Sequence, residues 1–507
     1  MRLLFLIPFL ATAQQPIDVG LQRQLFIDDK FVTAAKNVAF RLHPPRKTNE
    51  FAITSESPFD LGGYSSVVEH DGVYHLYYIA GTAVCYARSK DGIHWEKPSL
   101  QLSQAHGTKF NNVVIGYGAA GVKEDIHGLS VFIDPKAPAE ERFRLVTNPE
   151  EFNRYLQVFS SADGIHWKHT HKNVMTYNRD RKPHHLDSPN VIFYDTNIEK
   201  YVAYVRKNLR DRNSQGRTVA RAESADLANF GRVEDAPPVF RADTLHPGHR
   251  NPKTGADTAI LDVYTNGTML YPYAQSVYLM FPTIYYHYIA AHREYREDTP
   301  TNAGPLDARF ATSRDGKQWK LFDDGPFIGI GVRGEWDSQR TYITRGIVPA
   351  ANGHEMYMYY MGTNEPHGWD RDDRNNQLLT KGGVNPVPER RAISRVVLRR
   401  DGFVSLRANK QGGEFLTPPL RFGGDQLVLN IDTGASGEAI VEITDEQGNP
   451  IEGFTSDIIH SANQISHPVT FNLATDLTKL TGKTIRLRFR LIDTDIYAFQ
   501  FNFRANL

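Results

Sequence analysis

The chain has 507 residues. A single hydrophobic core rarely serves a chain of this length, so two domains are expected. Lys and Arg together number 58, as do Asp and Glu, and this balance argues against nucleic acid or an anionic membrane as the main partner. Hydrophobic residues make up 40% and charged residues 23%, which is typical of a globular protein in water.

The first residues, MRLLFLIPFLATAQQP, have the plan of a secretory signal peptide. Arg2 supplies a basic start, residues 3–10 are apolar, and residues 11–13 form a small-x-small cleavage motif before Gln14. No later run is long and apolar enough to span a bilayer. We therefore predict that residues 1–13 are a signal peptide, that no segment spans a membrane, and that the mature protein is secreted or periplasmic.

Beyond this leader, apolar and polar residues alternate with period two, the pattern of β-strands. YSSVVEHDGVYHLYYIAG predicts a strand, a tight Asp71-Gly72 turn and a second strand, and SPNVIFYDTNIEKYVAYVRK follows the same plan. No long amphipathic helix stands out, so an all-β fold is predicted. Cys85 is the single cysteine, which excludes an intrachain disulfide.

A short motif recurs along the chain as SKDGIHW (89–95), SADGIHW (161–167) and SRDGKQW (313–319). The third copy lies about two spacings beyond the second, and ESADLANF supplies a degenerate copy at Asp226 between them. LRRDGFVSL supplies another at Asp401. Strand-like segments precede each of these five marks, so the repeating unit is a four-stranded sheet and the prediction is a five-bladed β-propeller.

The residues of the motif suit a structural turn. The Asp carboxylate can accept amide hydrogen bonds, the Gly adopts a positive φ without strain, and the Trp can pack between neighbouring sheets. We therefore predict that Asp91, Asp163 and Asp315 mark the outer hairpin of a blade and are not a catalytic signature.

After Leu406 the sequence becomes rich in Gly and Pro and then alternates again up to the end of the chain. This predicts a compact antiparallel β-sandwich. The predicted division is a propeller over residues 14–410 and a sandwich over residues 411–507, with the boundary near residues 407–414.

Several segments carry a resemblance to a known group: RQLFIDDKFV, RLHPPRK, CYARSKDGIHWEKP, LDSPNVIFYD, RGEWDS and DIYAFQFNF. Together they resemble exported bacterial proteins described as glycosyl hydrolase family 32-like. A five-bladed propeller with S-x-D-G-x-x-W turns and a C-terminal sandwich is similar to glycoside hydrolase families 43 and 32. The W-x-N-D-P-N-G motif of family 32 is absent. The resemblance implies a protein that acts on glycans.

The inner strand of each propeller blade lines the central channel, and side chains at its start converge on one face. Glycoside hydrolysis needs a proton donor and a second carboxylate that acts as base or nucleophile. The side chains at the five predicted blade entries are therefore the candidates: Glu56 and Asp60; Asp125 and His127; His184, His185 and Asp187; Asp257, Asp262 and Tyr264; Glu335, Asp337 and Arg340.

Four of these carboxylates are predicted to be catalytic. Asp187 stands ahead of an apolar strand, where the resemblance implies an Asp that binds substrate hydroxyls or tunes the acid; its structural alternative is a turn cap. Glu335 is the predicted proton donor, since Trp336 beside it would raise its pKa by desolvation; its alternative is a solvated loop charge. Asp262 and Asp60 complete the set. Predicted substrate-binding residues are Asp125, His127, His185, Tyr264, Arg340, His367 and Trp369.

These features favour an exported glycoside hydrolase, a glycosidase that acts on an oligo- or polysaccharide of a plant, alga or microbe. No cofactor is required, although the channel leaves room for a cation such as calcium. Three alternatives stay open: a polysaccharide lyase in which Tyr264, His185 or His127 removes a proton beside a uronate, a glycoside phosphorylase, and a noncatalytic sugar-binding propeller. Export argues against the phosphorylase.

Overall fold

The computed structural model describes residues 15–55, 60–149, 155–178, 185–209, 216–242, 259–288, 304–367, 390–471 and 477–504. Strands dominate these residues, so the predicted all-β class is confirmed. Short 3-10 helices occur at Asp29–Phe31, Ala139–Glu141 and Thr478–Leu480. The chain divides into two compact units. The propeller unit comprises residues 44–271 and 276–400, and the sandwich unit comprises residues 1–43, 272–275 and 401–507.

The strands of the sandwich unit come from both ends of the chain, and those of the propeller unit come from the middle. The first four are β1 (Ile17–Gly20), β2 (Gln24–Leu25), β3 (Ala34–Lys36) and β4 (Val38–Leu42). The propeller strands are β5 (Arg46–Thr54), β6 (Leu61–His70), β7 (Val73–Ala80), β8 (Ala83–Ser89), β9 (Val113–Ile115), β10 (Ile126–Ile133), β11 (Phe143–Pro149), β12 (Tyr155–Ser161), β13 (Lys168–Thr176), β14 (Val191–Asp195), β15 (Lys200–Asn208), β16 (Arg217–Ser224), β17 (Pro238–Phe240), β18 (Ala259–Thr265), β19 (Met269–Leu270), β20 (Tyr278–Met280), β21 (Thr283–Tyr288), β22 (Leu306–Ala308), β23 (Phe310–Ser313), β24 (Lys320–Phe322), β25 (Arg340–Ile343), β26 (Val348–Pro349), β27 (Glu355–Thr363) and β28 (Arg391–Arg399). The remaining strands are β29 (Val404–Ala408), β30 (Gly413–Leu416), β31 (Leu420–Phe422), β32 (Gln426–Asp432), β33 (Glu438–Thr444), β34 (Pro450–Thr455), β35 (Ile459–His460), β36 (Asn463–Pro468), β37 (Arg486–Ile492) and β38 (Thr494–Asn502).

Successive strands of the propeller unit pair in antiparallel groups. Sheet 1 is β6-β7-β8-β9, sheet 2 is β10-β11-β12-β13 and sheet 3 is β14-β15-β16-β17. Sheet 4 has β18 and β19 as its inner edge, followed by β20 with β21, β22 with β23, and β24. Sheet 5 runs from β25 and β26 through β27 and β28 to β5. A parallel bridge between Leu306 of β22 and Arg340 of β25 connects sheets 4 and 5. Each first strand is an inner strand, so the predicted propeller architecture is confirmed.

Contacts between inner edges close these sheets into a ring. Each sheet touches the next through a hydrogen bond or a ring contact, and sheet 5 returns to sheet 1, so the first strands surround a common axis. The contacts, in ring order, are Val131 N to Ser66 Oγ (3.0 Å), Ser130 Oγ to Asn190 O (2.8 Å), Asn266 Nδ2 to Tyr204 O (3.3 Å), Tyr264 with Tyr342 (ring centroids 5.6 Å apart) and Val67 N to Arg345 O (2.8 Å).

The repeated S-x-D-G-x-x-W motif forms the turn that follows the third strand of sheets 1, 2 and 4. In sheet 1, Asp91 Oδ1 accepts the backbone amides of Ile93 and His94, both at 2.8 Å. Gly92 has a φ of 71°, which a residue with a Cβ adopts only under strain. The prediction that the motif is an outer turn is therefore confirmed.

The same turn joins neighbouring sheets. Trp167 of sheet 2 lies edge-on to Tyr77 of sheet 1 at 5.7 Å, and the Tyr77 hydroxyl donates to the Gly164 carbonyl oxygen at 2.8 Å. We call this arrangement the Tyr–Trp latch. It explains why Asp, Gly and Trp recur together. Equivalent latches are formed by Trp319, Tyr204 and Gly316 between sheets 4 and 3, and by Trp95, Tyr359 and Gly92 between sheets 1 and 5.

The predicted fifth mark, at Asp401, is wrong as an outer hairpin. The strand after it, β29, pairs with β4 and β38 of the sandwich unit, and β28 pairs with β5. Asp401 is buried and its carboxylate contacts Arg23 Nε at 2.5 Å. A strand from the beginning of the unit therefore completes the last sheet, and a period counted along the chain cannot show this closure.

The sandwich unit contains two six-stranded sheets. One follows the order β36-β32-β38-β29-β4 with β2 on β38, and the other follows β3-β30-β37-β33-β34 with β35 on β33. Their apolar faces form one core that includes Phe26, Phe415 and Phe489. The predicted division differs from this at both ends, because β1–β4 and β29 belong to the sandwich unit. Alternation identifies a strand but not the sheet that it joins.

Candidate functional site

One side chain from each inner edge of the propeller unit enters a common cluster, the channel site. Tyr64 of β6 lies edge-on to His127 of β10 at 5.4 Å, and its hydroxyl is 3.0 Å from that of Tyr264 on β18. Tyr264 in turn contacts Tyr342 of β25 at 5.6 Å. His127 Nε2 is 3.1 Å from Oδ1 of Asp187, which precedes β14. Residues of four inner strands and of the loop before the fifth thus converge, as expected of a propeller.

Asp187 is an ionised carboxylate that is open to solvent. Its side chain is 39% exposed, and its second oxygen is 3.0 Å from Arg206 Nη1. Burial opposes ionisation, but the Arg206 guanidinium and the contact with His127 outweigh it and hold the pKa of Asp187 well below its usual range. A carboxylate in this state can accept a proton, attack a carbon or bind sugar hydroxyls.

The loop that carries Asp187 is strained on both sides. Leu186 has a φ of 63° and Ser188 a φ of 152°, which L residues rarely adopt. Asn190 holds the loop, since its Nδ2 donates to the carbonyl oxygens of Leu186 at 2.9 Å and Ser188 at 2.8 Å. Its Oδ1 accepts the Arg206 amide at 2.9 Å, which ties the loop to β15. Strain retained in this way is typical of functional sites.

Three guanidinium groups lie on the faces of the tyrosines. Arg206 and Arg217 are 5.9 and 5.7 Å from the centre of the Tyr264 ring, and Arg340 is 6.0 Å from that of Tyr342. Such contacts are cation–π interactions, and they orient the positive groups around the cluster.

The side chain of Asp262 is fully buried. Its Oδ1 accepts the Arg217 amide at 3.1 Å, and its Oδ2 is 3.1 Å from His287 Nε2 and 3.6 Å from Arg217 Nε. The sequence predicted a carboxylate that touches the substrate. The structure instead gives Asp262 the geometry of a positioning residue for Arg217, because both of its oxygens are engaged by Arg217 and His287.

The hydroxyls of Tyr64 and Tyr264 and the ring of His367 are neutral. Burial raises the pKa of Tyr64 and Tyr264, so both hydroxyls keep their protons. Burial, with the charges of Arg340, Arg217 and Arg206, lowers the pKa of His367 to about 3. His367 Nδ1 is 3.3 Å from the Tyr342 hydroxyl, so the predicted binding residue His367 does join the channel site.

Glu335 is exposed, and the residues after it pack against the outer part of sheet 5. The Trp336 ring lies 5.0 Å from Phe51 of β5 and 5.4 Å from Tyr360 of β27. Asp337 forms an ion pair with Lys47 of β5 at 2.6 Å. Among the described residues, no contact joins Glu335 to the channel site, and its role as proton donor stays a prediction.

The other predicted residues have different surroundings. Asp60 and Asp125 are exposed near the starts of β6 and β10, and Asp60 Oδ1 is 3.4 Å from Ser55 Oγ. His185 is buried, accepts the Asn208 amide at 3.0 Å and packs edge-on to Tyr177, and its role in substrate binding stays a prediction. Outside the described residues lie Glu56, His184, Asp257 and Trp369.

Four members of the channel site were not among the sequence candidates: Tyr64, Tyr342, Arg206 and Arg217. The two tyrosines stand on predicted inner strands, but a rule that selects carboxylates does not select them. Arg206 and Arg217 come from β15 and β16, the second and third strands of sheet 3, and only long side chains reach the axis from there. A search for Arg at blade entries would not have found them.

Within the part of the chain that the structure describes, no three His, Cys, Asp or Glu side chains are placed to hold a metal ion. No helix in that part is long and apolar enough to cross a bilayer.

No known protein family and no curated protein matches the sequence. The structure is similar to a thermostable family-43 glycoside hydrolase, at 14% identity and a TM-score of 0.44, over 71% of this chain and 96% of that one. It is similar to an N-acetylgalactosamine deacetylase from F. plautii, at 13% identity and a TM-score of 0.41, over 72% and 96%. It is also similar to a GH32 β-fructofuranosidase of Bombyx mori, at 9% identity and a TM-score of 0.38, over 92% and 95%. Two of these three belong to the families 43 and 32 that the sequence resembles.

Proposed function

We propose that the protein is an exported glycoside hydrolase whose active site is the channel site. The observation that carries this proposal is Asp187, an ionised and exposed carboxylate where five inner strands meet, on a strained loop. The resemblance of the sequence to families 43 and 32 supports a glycan as substrate. The tyrosine rings and neutral hydroxyls around Asp187 suit the apolar faces and hydroxyl groups of a sugar.

In this proposal Asp187 is the group that activates water or attacks the sugar, because it keeps its negative charge at neutral pH. Hydrolysis also needs a proton for the leaving oxygen. Two residues are candidates for that donor. His127 contacts Asp187 directly, and Glu335 is the donor that the sequence predicts.

Variants at three positions test the assignment on whichever glycan of a plant, algal and microbial panel the wild type cleaves. Asp187→Asn is expected to abolish release of reducing ends. His127→Gln and Glu335→Gln are compared on the natural glycan and on an aryl glycoside, whose leaving group needs little protonation. The variant that loses activity on the glycan but keeps it on the aryl glycoside identifies the donor. Full activity of Asp187→Asn would contradict the proposal.

A polysaccharide lyase is the second candidate, because neutral tyrosines and arginines surround the channel site. In that reaction a His base removes a proton beside a uronate carboxylate that Arg neutralises, a carbon–carbon double bond forms as the bond to the leaving oxygen breaks, and a neutral Tyr gives that oxygen a proton. The product is unsaturated and absorbs in the ultraviolet, and a hydrolysis product does not. Absorbance that rises together with reducing ends would favour the lyase.

A further inference from the structure

The positive groups of the channel site belong to the same cluster as two side chains that solvent reaches. Arg217 lies 5.7 Å from the Tyr264 ring and 5.3 Å from the Tyr285 ring, and Asp262 anchors its backbone amide. Asp187 and His127, which belong to the same cluster, have side chains 39% and 27% exposed. A ligand that reaches these two residues therefore approaches Arg206 and Arg217, which lie on the Tyr264 ring.

Arg217 has a donor to spare. Its Nη1 is buried and has no hydrogen-bond partner among the described residues. A buried guanidinium nitrogen without an acceptor is costly, and an acceptor supplied by a ligand removes that cost. Its nearest carboxylate, Asp262, is already shared with His287, so a further acceptor has to come from elsewhere.

The surroundings of Arg217 are positive as well. Burial and then the Arg206 charge lower the pKa of Arg217, and the same arginines act on His367. Asp187 is the exposed carboxylate of the cluster among the described residues, and it is already paired with Arg206. A ligand group beside Arg217 thus gains from a negative charge that it brings with it.

We propose that the channel site binds an acidic glycan, with a carboxylate or sulfate of one sugar unit paired with the guanidinium of Arg217. This proposal rests on the assignment of the channel as the glycan site. It adds the substrate class, which holds for hydrolysis and for elimination alike.

The probes are sodium glucuronate, glucose 6-sulfate and glucose, titrated into the mature protein and followed by ligand-observed NMR. At least one charged probe should bind roughly ten-fold more tightly than glucose, the gain expected of a charged hydrogen bond. The two charged probes separate carboxylate from sulfate. Equal affinity for glucose, or no binding of either charged probe, would overturn the proposal.

Two variants and one control assign the effect to Arg217. Arg217→Gln should lose the preference for the charged probe, and Arg217→Lys should retain part of it. Arg421→Gln removes the same charge from an exposed strand position of the sandwich unit and should behave as the wild type. A preference that survives in Arg217→Gln contradicts the proposal.

A measurement on the wild type covers the case in which Arg217→Gln does not fold. Added sodium chloride should weaken binding of the charged probe several-fold and leave glucose binding unchanged, because salt screens ion pairs. An equal effect of salt on both probes speaks against the ion pair. If Asp187→Asn is inactive on a neutral glycan and no acidic preference exists, the proposed function stands and this inference fails.

Discussion

The channel site and the Tyr–Trp latches use the same residue types for different purposes. Asp163 of the sheet 2 latch has a lowered pKa, as Asp187 has, and its side chain is 49% exposed, more than that of Asp187. The difference lies in the partners. Asp163 accepts the amides of Ile165 and His166 from its own turn, whereas Asp187 is held by His127 of β10 and Arg206 of β15.

This comparison shows that exposure and a perturbed pKa do not by themselves identify a functional carboxylate. A turn that supplies all its own partners needs no other part of the molecule. A carboxylate whose partners come from separate sheets depends on the whole ring, and the ring places it beside the other channel residues. The origin of the partners therefore separates a structural Asp from a candidate catalytic one.

The largest expected effect comes from exchanging each of these carboxylates for its amide. Asp187→Asn should reduce kcat/KM by about 10²–10⁴-fold, the range for loss of a general acid or base. Asp163→Asn should leave kcat/KM unchanged and lower the melting temperature. Steady-state kinetics and thermal unfolding monitored by circular dichroism measure both. A catalytic loss in Asp163→Asn would break the comparison.

A second test concerns the loop that presents Asp187. Asn190→Ala removes the hydrogen bonds to Leu186 and Ser188, so the strained loop should relax and kcat should fall about ten-fold or more. Asn112→Ala is the matched control, because its Nδ2 bonds Tyr78 and the Tyr86 carbonyl in sheet 1. Both variants should lose similar stability in urea unfolding, and only Asn190→Ala should lose activity. Equal activities would show that the loop needs no such support.

A third test concerns the latch itself. A Cβ added at Gly164 would lie 2.4 Å from the Tyr77 hydroxyl. Gly164→Ala should therefore lower the free energy of unfolding by about 2–4 kcal/mol, because the methyl group clashes with Tyr77, the positive φ becomes strained and the hydrogen bond is lost. Gly72 has a similar φ of 74° but no atom within 4 Å of such a Cβ, so Gly72→Ala should cost only about 1–2 kcal/mol. Urea unfolding measures the difference. Equal costs would mean that the latch adds nothing.

The smallest expected effect is a pH dependence of the latch. The pKa of Asp163 is lower in the folded than in the unfolded protein, so its ionised form stabilises the fold above about pH 4. The stability difference between the wild type and Asp163→Asn should be constant near neutrality and shrink as pH falls below about 4. Urea unfolding at a series of pH values tests this. A difference that grows in acid would contradict the assigned hydrogen bonds.

The sequence by itself determined the all-β class and the role of the D-G turns, and it singled out Asp187 as a candidate. These conclusions depend on local chemistry, since period-two alternation, a Gly with positive φ and an Asp before an apolar strand act within a few residues. The same logic predicted that the inner strands converge, and the structure brings His127 and Tyr264 together with Tyr64 and Tyr342; the roles of these residues stay predictions.

Only the tertiary structure decided which strands close the ring and which long side chains reach its axis. β5 and β28 lie far apart along the chain, yet they pair to complete sheet 5. Arg206 and Arg217 enter the channel site from β15 and β16, which are not inner strands. It also buried Asp262 and left Glu335 exposed. The physical reason is that a turn is satisfied by its own neighbours, whereas the surroundings of a channel side chain are built by residues that are distant along the chain.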